Sequence, residues 1–343
     1  MKAAVIREHG GPEVIRIEDV PDPKPGPREV VVAIRAAALN HVDIWVRRGG
    51  RAELKFPHVL GADGAGVVAA VGKDVREVEA GQEVVVVAGL SCGSCEFCRG
   101  GEQSLCPDFG IVGMASPGTF AGKVSVPAVN VAPKPAGLSF EQAATLGVAY
   151  GTAWRMLFTR AALLPGETVL IHGIGGGVAL AALQFVKGSG ARAIVTSSSD
   201  EKLEKARQMG ADGTVNYKST ADVAAAVREL TGGRGVDVAF DTVGAATWPV
   251  DFTVVHKGGR IVLCGVTSGA EAVTNLQALY WNQLTVLGST FASRRDFLGM
   301  LRTVEAAGIQ PVIDTVLPLE QAVEATRRME EGRQFGNIVL KVT

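Results

Sequence analysis

The stretch "TVLIHGIGGGVALAALQFV", Thr168 to Val186, constrains the fold more than any other. A short apolar run enters a glycine cluster, Gly173, Gly175, Gly176 and Gly177, and leaves as a longer apolar segment. The segment is long and apolar enough to suggest a membrane span, but the glycines and His172 argue against one. Strand, turn and helix explain it better. Glycines allow positive φ and let a pyrophosphate approach the main chain, and the helix N-terminus beyond supplies N–H donors. The spacing is not a strict G-x-G-x-x-G, because Gly173-x-Gly175 is followed by Val178. The register Gly173-x-x-Gly176-x-x-Ala179 puts alanine where a third glycine packs helix on strand, a tolerated substitute.

Strands and helices alternate around this loop. "RAIVTS", "VDVAFDTVG" and "GGRIVLCG" read as strands. "DEKLEKARQMG" reads as a helix, with Ser198 and Glu201 as a capping box and Gly210 as its stop. Such alternation marks an α/β fold with a doubly wound parallel sheet. The first third has a different texture. "VIRIEDV", "EVVVAIRAAAL" and "EVVVVAGL" are strand-like, the proline-rich "PDPKPGP" is a loop, and Ser139 with Gln142 forms a capping box. The tail from Val316 reads as a helix and a closing strand. With 343 residues, two domains are expected.

Lys plus Arg is 34 and Asp plus Glu 35, which leaves no basic field for nucleic acid and no polybasic membrane anchor. "MKAAVIREHGG" carries charges where a secretory segment needs an apolar run, so the cytoplasm is the expected address.

Four of the five cysteines, Cys92, Cys95, Cys98 and Cys106, follow C-x2-C-x2-C-x7-C. Thiolates at that spacing converge on one tetrahedral Zn²⁺ with Zn–S distances of about 2.3 Å, and four sulfurs leave no open position for chemistry. The site is expected to be structural. A pair of disulfides, unliganded thiols or an iron–sulfur centre are the alternatives.

The end of the strand "RAIVTS" should select the cofactor. Ser197 stands where an acidic residue would favour NAD, and Lys202, Tyr217 and Lys218 follow as partners for a 2′-phosphate. NADP(H) is expected over NAD(H).

The stretches "GADGAGVVAAVG", the four-cysteine lobe, the Gly173–Ala179 loop, "DTVG" and "GGRIVLCG" together resemble the medium-chain dehydrogenase/reductase superfamily, the zinc alcohol dehydrogenases and their quinone oxidoreductase relatives. The resemblance covers nearly the whole chain. It implies a GroES-like β-rich catalytic domain at 1–148, with a structural-zinc lobe at about 90–110, a Rossmann domain at 149–291, and a return to the first domain at 292–343. It also implies a homodimer or homotetramer, with "LYWNQLTVLGST" as a segment for edge-to-edge pairing.

The zinc alcohol dehydrogenases hold a second, catalytic zinc through a Cys in C-H-x-D, a His in G-H-E and a later Cys. Here those places read Asn40, Ala62 and Val148, and the family's proton-relay Ser/Thr is Val42. Asn40, Asp43 and Asp63 do not make the usual three-ligand N/S set. Without a Lewis acid to hold a hydroxyl, hydride delivery to a quinone or an α,β-unsaturated carbonyl is the easier chemistry. "AALNHVDIWVRRG" is similar to the quinone oxidoreductase branch.

Asn40 is the first candidate for a contact to the acceptor's oxygen, with a backbone-satisfying loop residue as its alternative. Tyr150 is the second candidate, with packing as its alternative. The resemblance gives His41 a place against the cofactor pyrophosphate, with a solvent-facing histidine as its alternative, and Thr152 and Thr242 are candidate cofactor contacts. Asp43 is expected to anchor its loop. Cys264 is expected to be a small buried hydrophobe and His172 a packed or cofactor-adjacent residue. An alcohol dehydrogenase using NAD(P) and a non-catalytic nicotinamide-binding protein are the competing functions.

Overall fold

The computed structural model describes residues 1–50 and 53–342. The chain forms two compact units, Met1–Gly151 with Ala292–Thr343, and Thr152–Phe291.

The first unit opens with β1 (Lys2–Ile6), β2 (Arg16–Asp19), β3 (Glu29–Ala38), α1 (His41–Arg48), β4 (His58–Val59), β5 (Asp63–Val71) and β6 (Glu83–Val86). The cysteine lobe carries β7 (Gly89–Leu90), α2 (Glu96–Arg99) and β8 (Gly110–Ile111). Then come β9 (Lys123–Pro127), β10 (Val131–Pro133), α3 (Phe140–Ala144) and a π-helical turn at Leu146–Tyr150, and α4 (Gly151–Trp154) carries the chain across the boundary into the second unit. "EVVVVAGL" therefore divides into β6 and β7 instead of forming one strand.

The second unit contains β11 (Thr168–Ile171), α5 (Gly177–Gly188), β12 (Arg192–Ser197), α6 (Asp200–Gln208), β13 (Gly213–Asn216), α7 (Val223–Leu230), β14 (Val236–Asp241), α8 (Trp248–Val254), β15 (Val255–Leu263), α9 (Leu276–Trp281) and β16 (Thr285–Gly288). The tail returns to the first unit as α10 (Arg294–Ala306), β17 (Ile313–Pro318), α11 (Ala322–Glu330) and β18 (Asn337–Lys341).

The main sheet of the first unit runs β10-β6-β5-β3-β18-β17, with β9 also pairing β3. Valine-rich β3 is its spine. One edge pairs with β5 along its length; the other is shared by β9 at Glu29–Ala33 and β18 at Ala36–Ala38. Residues on both faces of β3 are buried, and α3 packs against it, so the strand reads as a nearly continuous apolar run and not as an alternating one. β5 and β3 converge at Asp63 and Ala38, so the residues that follow β3 and precede β5 meet there.

The second unit is a parallel six-stranded sheet, β13-β12-β11-β14-β15-β16. Leu170, Ile194, Ala239 and Ile261 are fully buried in its core. Each fully buried large aliphatic contributes about 1.5–3 kcal/mol. From β11 the chain moves outward to β12 and β13, then crosses back to β14 on the other side. The switch point lies at the carboxyl ends of β11 and β14, where open α/β sheets take ligands.

Two local expectations shift. The segment "LYWNQLTVLGST" begins inside α9, which Asn275 caps by accepting the N–H of Ala278 at 3.0 Å, and only Thr285–Gly288 is strand. The cap of α6 is Ser199, not Ser198; its hydroxyl accepts from Lys202 N at 3.3 Å. The Ser139–Gln142 box forms as read, with bonds of 3.1 and 3.2 Å. Among the described residues no helix is long and apolar enough to cross a membrane.

Candidate functional site

The sulfurs of Cys92, Cys95, Cys98 and Cys106 all lie within 4.8 Å of one another. Cys92 Sγ is 3.5 Å from Cys106 Sγ and 3.9 Å from Cys98 Sγ. Four ligands at about 2.3 Å from a tetrahedral zinc stand ~3.8 Å apart, so the set has the right size. Backbone N–H groups of Cys92, Cys95 and Cys98 donate to the sulfurs of Cys106, Cys92 and Cys95 at 3.4 Å each. Such bonds stabilise thiolates, and the N–H groups of Ser94 and Cys95 pull the Cys92 thiol down to about 6. All five cysteines are free thiols. The donor set fits zinc.

The second cluster sits where β3, α1, β5 and the π-helical turn meet. Asn40 precedes α1 and is buried. Its backbone N–H donates to Asp43 Oδ2 at 2.8 Å. Its amide nitrogen donates to Asp63 Oδ2 at 2.9 Å and faces Ala38 O at 3.4 Å. Both amide hydrogens are thus turned into the protein, which favours the backbone-satisfying role for Asn40 over donation to a substrate oxygen. Asp43 Oδ1 accepts from Ala62 N at 3.1 Å, so it anchors its loop as expected. Asp63 takes the N–H of Val148 between its two oxygens at 2.9 and 3.0 Å. Burial pushes Asp43 up to about 8, with the charge of Asp63 adding to it, and pushes Asp63 up to about 7. A donor set of an amide, an alanine and a valine does not fit the zinc of the alcohol dehydrogenases.

His41 is exposed at the first position of α1. Tyr150 is completely buried. Burial raises its phenol far above the usual range, while the backbone of Val312 hydrogen-bonds the hydroxyl. Of the two roles open to Tyr150, geometry supports packing.

In the second unit the glycine loop links β11 to α5. Gly173 has φ +69° and Gly175 φ +123°, a region that favours glycine. Gly176 is the more telling residue. Its φ of −77° suits any side chain, and a Cβ there would meet nothing closer than 3.9 Å. Neither strain nor packing within the protein demands glycine. What a side chain would fill is the space over the N-terminus of a 12-residue helix, which suits a bound phosphate. Gly177 and Val178 begin that helix, and Ala179 is buried against the sheet. The loop fits a dinucleotide.

A buried chain holds this loop from below, and sequence reading missed it. Gly173 N–H donates to Thr196 Oγ1 at 3.3 Å, Thr196 Oγ1 lies 3.2 Å from His172 Nδ1, and His172 Nε2 lies 2.9 Å from Asp251 Oδ1. Burial raises Asp251 to about 6. Burial alone would lower His172, but the charge and hydrogen bond of Asp251 raise it on balance. The available signal was one acid inside the apolar run "WPVDFTVV" of α8.

Ser197 is buried at the end of β12, and its hydroxyl accepts from Ser199 N at 3.3 Å. Asp200 opens α6 and is turned onto Asn216 at 2.7 Å. Lys202 is half-buried, Tyr217 exposed and Thr242 half-buried after β14; Thr152 is buried in α4. Tyr217 N–H donates to Ser197 O at 3.0 Å, bringing these two candidates together. Cys264 is half-buried, and burial pushes its thiol up to about 12. Two surface hollows, of about 520 and 240 Å³, contain none of the candidates; the first includes Lys2 and Lys123, the second Arg234 and His256.

Residues 26–136 match the alcohol dehydrogenase GroES-like domain, and residues 177–306 match the zinc-binding dehydrogenase family. The chain is similar to a zinc-type alcohol dehydrogenase-like protein of Schizosaccharomyces pombe, 34% identical over 353 residues, covering 100% of this chain and 99% of that protein. It is 31% identical over 372 residues to a crotonyl-CoA carboxylase/reductase of Cereibacter sphaeroides, covering 99% of this chain and 86% of that one. A solved NAD-dependent alcohol dehydrogenase superposes with a TM-score of 0.96 at 46% identity, over 100% of both chains.

Proposed function

The chain belongs to the medium-chain dehydrogenase/reductase superfamily and is an NAD(P)-dependent oxidoreductase, and on that premise we propose that it reduces a quinone or an α,β-unsaturated carbonyl with NADP(H), without a metal ion at the acceptor. The observation that carries this reading is the self-satisfied cluster of Asn40, Asp43, Asp63 and Val148 N–H, where zinc alcohol dehydrogenases place their ligands. A crotonyl-CoA carboxylase/reductase among the relatives, named for an unsaturated thioester, supports an activated acceptor.

Bound nicotinamide supplies the hydride. The chain's own part is to hold the cofactor and orient the acceptor. Gly173, Gly175, Gly176 and Gly177 receive the pyrophosphate, with Thr152, Val178 and Thr242 as further contacts; His41 stays a candidate cofactor contact by resemblance alone. Ser197, Lys202 and Tyr217 receive the 2′-phosphate. Asn40 lines the acceptor's place and contributes by holding its loop in position there. Neither Asn40 nor Tyr150 is placed to give the proton that completes reduction. Cys92, Cys95, Cys98 and Cys106 hold one structural zinc per chain. The exposed edge β16, with Leu276, Tyr280 and Trp281 at 69, 65 and 68% exposure beside it, is the surface for a homodimer or homotetramer. The proposed address is the cytoplasm.

The NAD-dependent alcohol dehydrogenase at 46% identity favours a second reading, alcohol oxidation with NAD. The experiment that separates them measures NADPH and NADH oxidation with a simple quinone and a simple enone, beside alcohol-dependent reduction of NAD⁺ and NADP⁺. The proposal expects turnover with NADPH and an enone or quinone and none with alcohols. Turnover with alcohols alone would refute it, and saturable cofactor binding with no turnover would support the non-catalytic alternative.

A further inference from the structure

Asp63 is 1% exposed, and its carboxylate touches chain segments far apart in sequence. Oδ2 accepts from Asn40 Nδ2 at 2.9 Å, before α1. Oδ1 and Oδ2 share the N–H of Val148 at 2.9 and 3.0 Å, in the π-helical turn. Its own backbone is pinned as well, since Thr119 Oγ1 donates to Asp63 O at 2.7 Å. The neighbouring Ala62 N–H is held by Asp43 of α1.

Gly147 marks the arrangement in the sequence. A Cβ at that position would stand 2.0 Å from Asp63 Oδ1, inside any real contact distance. Only a residue without a side chain lets the carboxylate reach Val148 N–H. A π-helical turn leaves backbone groups to be satisfied from outside the helix, and Asp63 does this here.

We propose that Asp63 is a positioning residue that does the mechanical work of a metal ion, tying the Asn40, Ala62–Asp63 and Val148 segments into one rigid acceptor floor through hydrogen bonds. These are the three segments at which the resemblance places the ligands of the catalytic zinc. The carboxylate also decides which way the Asn40 carboxamide faces. Flipping the amide would set its carbonyl oxygen against a carboxylate oxygen. The staple holds whatever the acceptor is, so its test does not depend on the proposed substrate.

The test is amide hydrogen exchange read by mass spectrometry on the zinc-loaded full chain, comparing wild type, Asp63→Ala and Asp63→Asn. In Asp63→Ala, exchange in the peptide spanning 146–150 should accelerate by about 10–100-fold, because the Val148 N–H loses its carboxyl acceptor. The peptide spanning 168–171, in β11, should not change. Asp63→Asn keeps a carbonyl oxygen for Val148 N–H and should restore most of the protection. If Asp63→Ala fails to fold, Gly147→Ala displaces the same carboxylate and should deprotect the same peptide. Exchange at 146–150 within two-fold of wild type in Asp63→Ala, or equally fast in Asp63→Asn and Asp63→Ala, would overturn the proposal.

Discussion

Four sulfurs crowd within 4.8 Å of one another in the lobe around Cys98, whereas the buried carboxylates of Asp43 and Asp63 are surrounded by N–H donors from Asn40, Ala62 and Val148. Both clusters gather groups that repel when charged. The lobe's four sulfurs have a size and spacing that suit an ion supplied from outside. The carboxylates settle the same conflict with hydrogen bonds and by holding on to protons. Polar groups set close together therefore do not by themselves mark a metal centre. The donors around them decide.

The largest expected effect breaks the lobe. Replacing Cys98 and Cys106 together by serine should abolish zinc binding and lower the melting temperature by more than about 10 °C, because the metal's binding free energy is folding free energy. Calorimetry and elemental analysis of the purified variant check this.

Gly147→Ala comes next. It should cost ~3 kcal/mol by overpacking against Asp63, a fall of about 6–12 °C in calorimetry. Gly176→Ala sharpens the contrast. Its Cβ has room and its backbone is not strained, so the melting temperature should stay within about 1 °C while NADPH binding weakens at least ~10-fold in a fluorescence titration.

A smaller effect concerns pH. Folding raises Asp63 from 3.8 to about 7 and Asp43 from 3.8 to about 8. The folded state therefore keeps these protons after the unfolded chain has lost them. This contribution is fully present below pH ~4 and disappears as pH rises through about 8. Denaturant unfolding of wild type against Asp63→Asn, pH 5 to 8.5, should show wild type losing ~2 kcal/mol relative to the variant. A constant difference would mean that Asp63 is ionised throughout.

The smallest expected change is in cofactor choice. Ser197→Asp should move the NADPH/NADH preference toward NADH by about 10-fold in kcat/KM, with no change in zinc content.

Much of the second unit was legible because its elements repeat a local pattern. β11, α5, β12 and β14 follow from apolar runs and glycine stops, and the glycine loop from its place between a strand and a helix. The cysteine lobe was legible from spacing alone. What escaped depended on contacts between distant residues. Nothing near Asp251 announces His172, 79 positions away. Tyr150 has the look of a reactive phenol, yet it lies in a helical run whose inward face is core. Asn40 was readable as a polar residue at a ligand position, but the direction of its amide is set by Asp63, 23 residues later. Gly147, a glycine inside a helical segment, carried the one usable hint of that contact.

The most direct test of the account is zinc stoichiometry, measured by elemental analysis on wild type and on the Cys98→Ser/Cys106→Ser variant. The expected result is one zinc per wild-type chain and none in the variant, with reduction of an enone by NADPH surviving removal of loosely bound metal from wild type under conditions that leave that one zinc in place. Two zincs per wild-type chain, one of them retained in the variant, would contradict it.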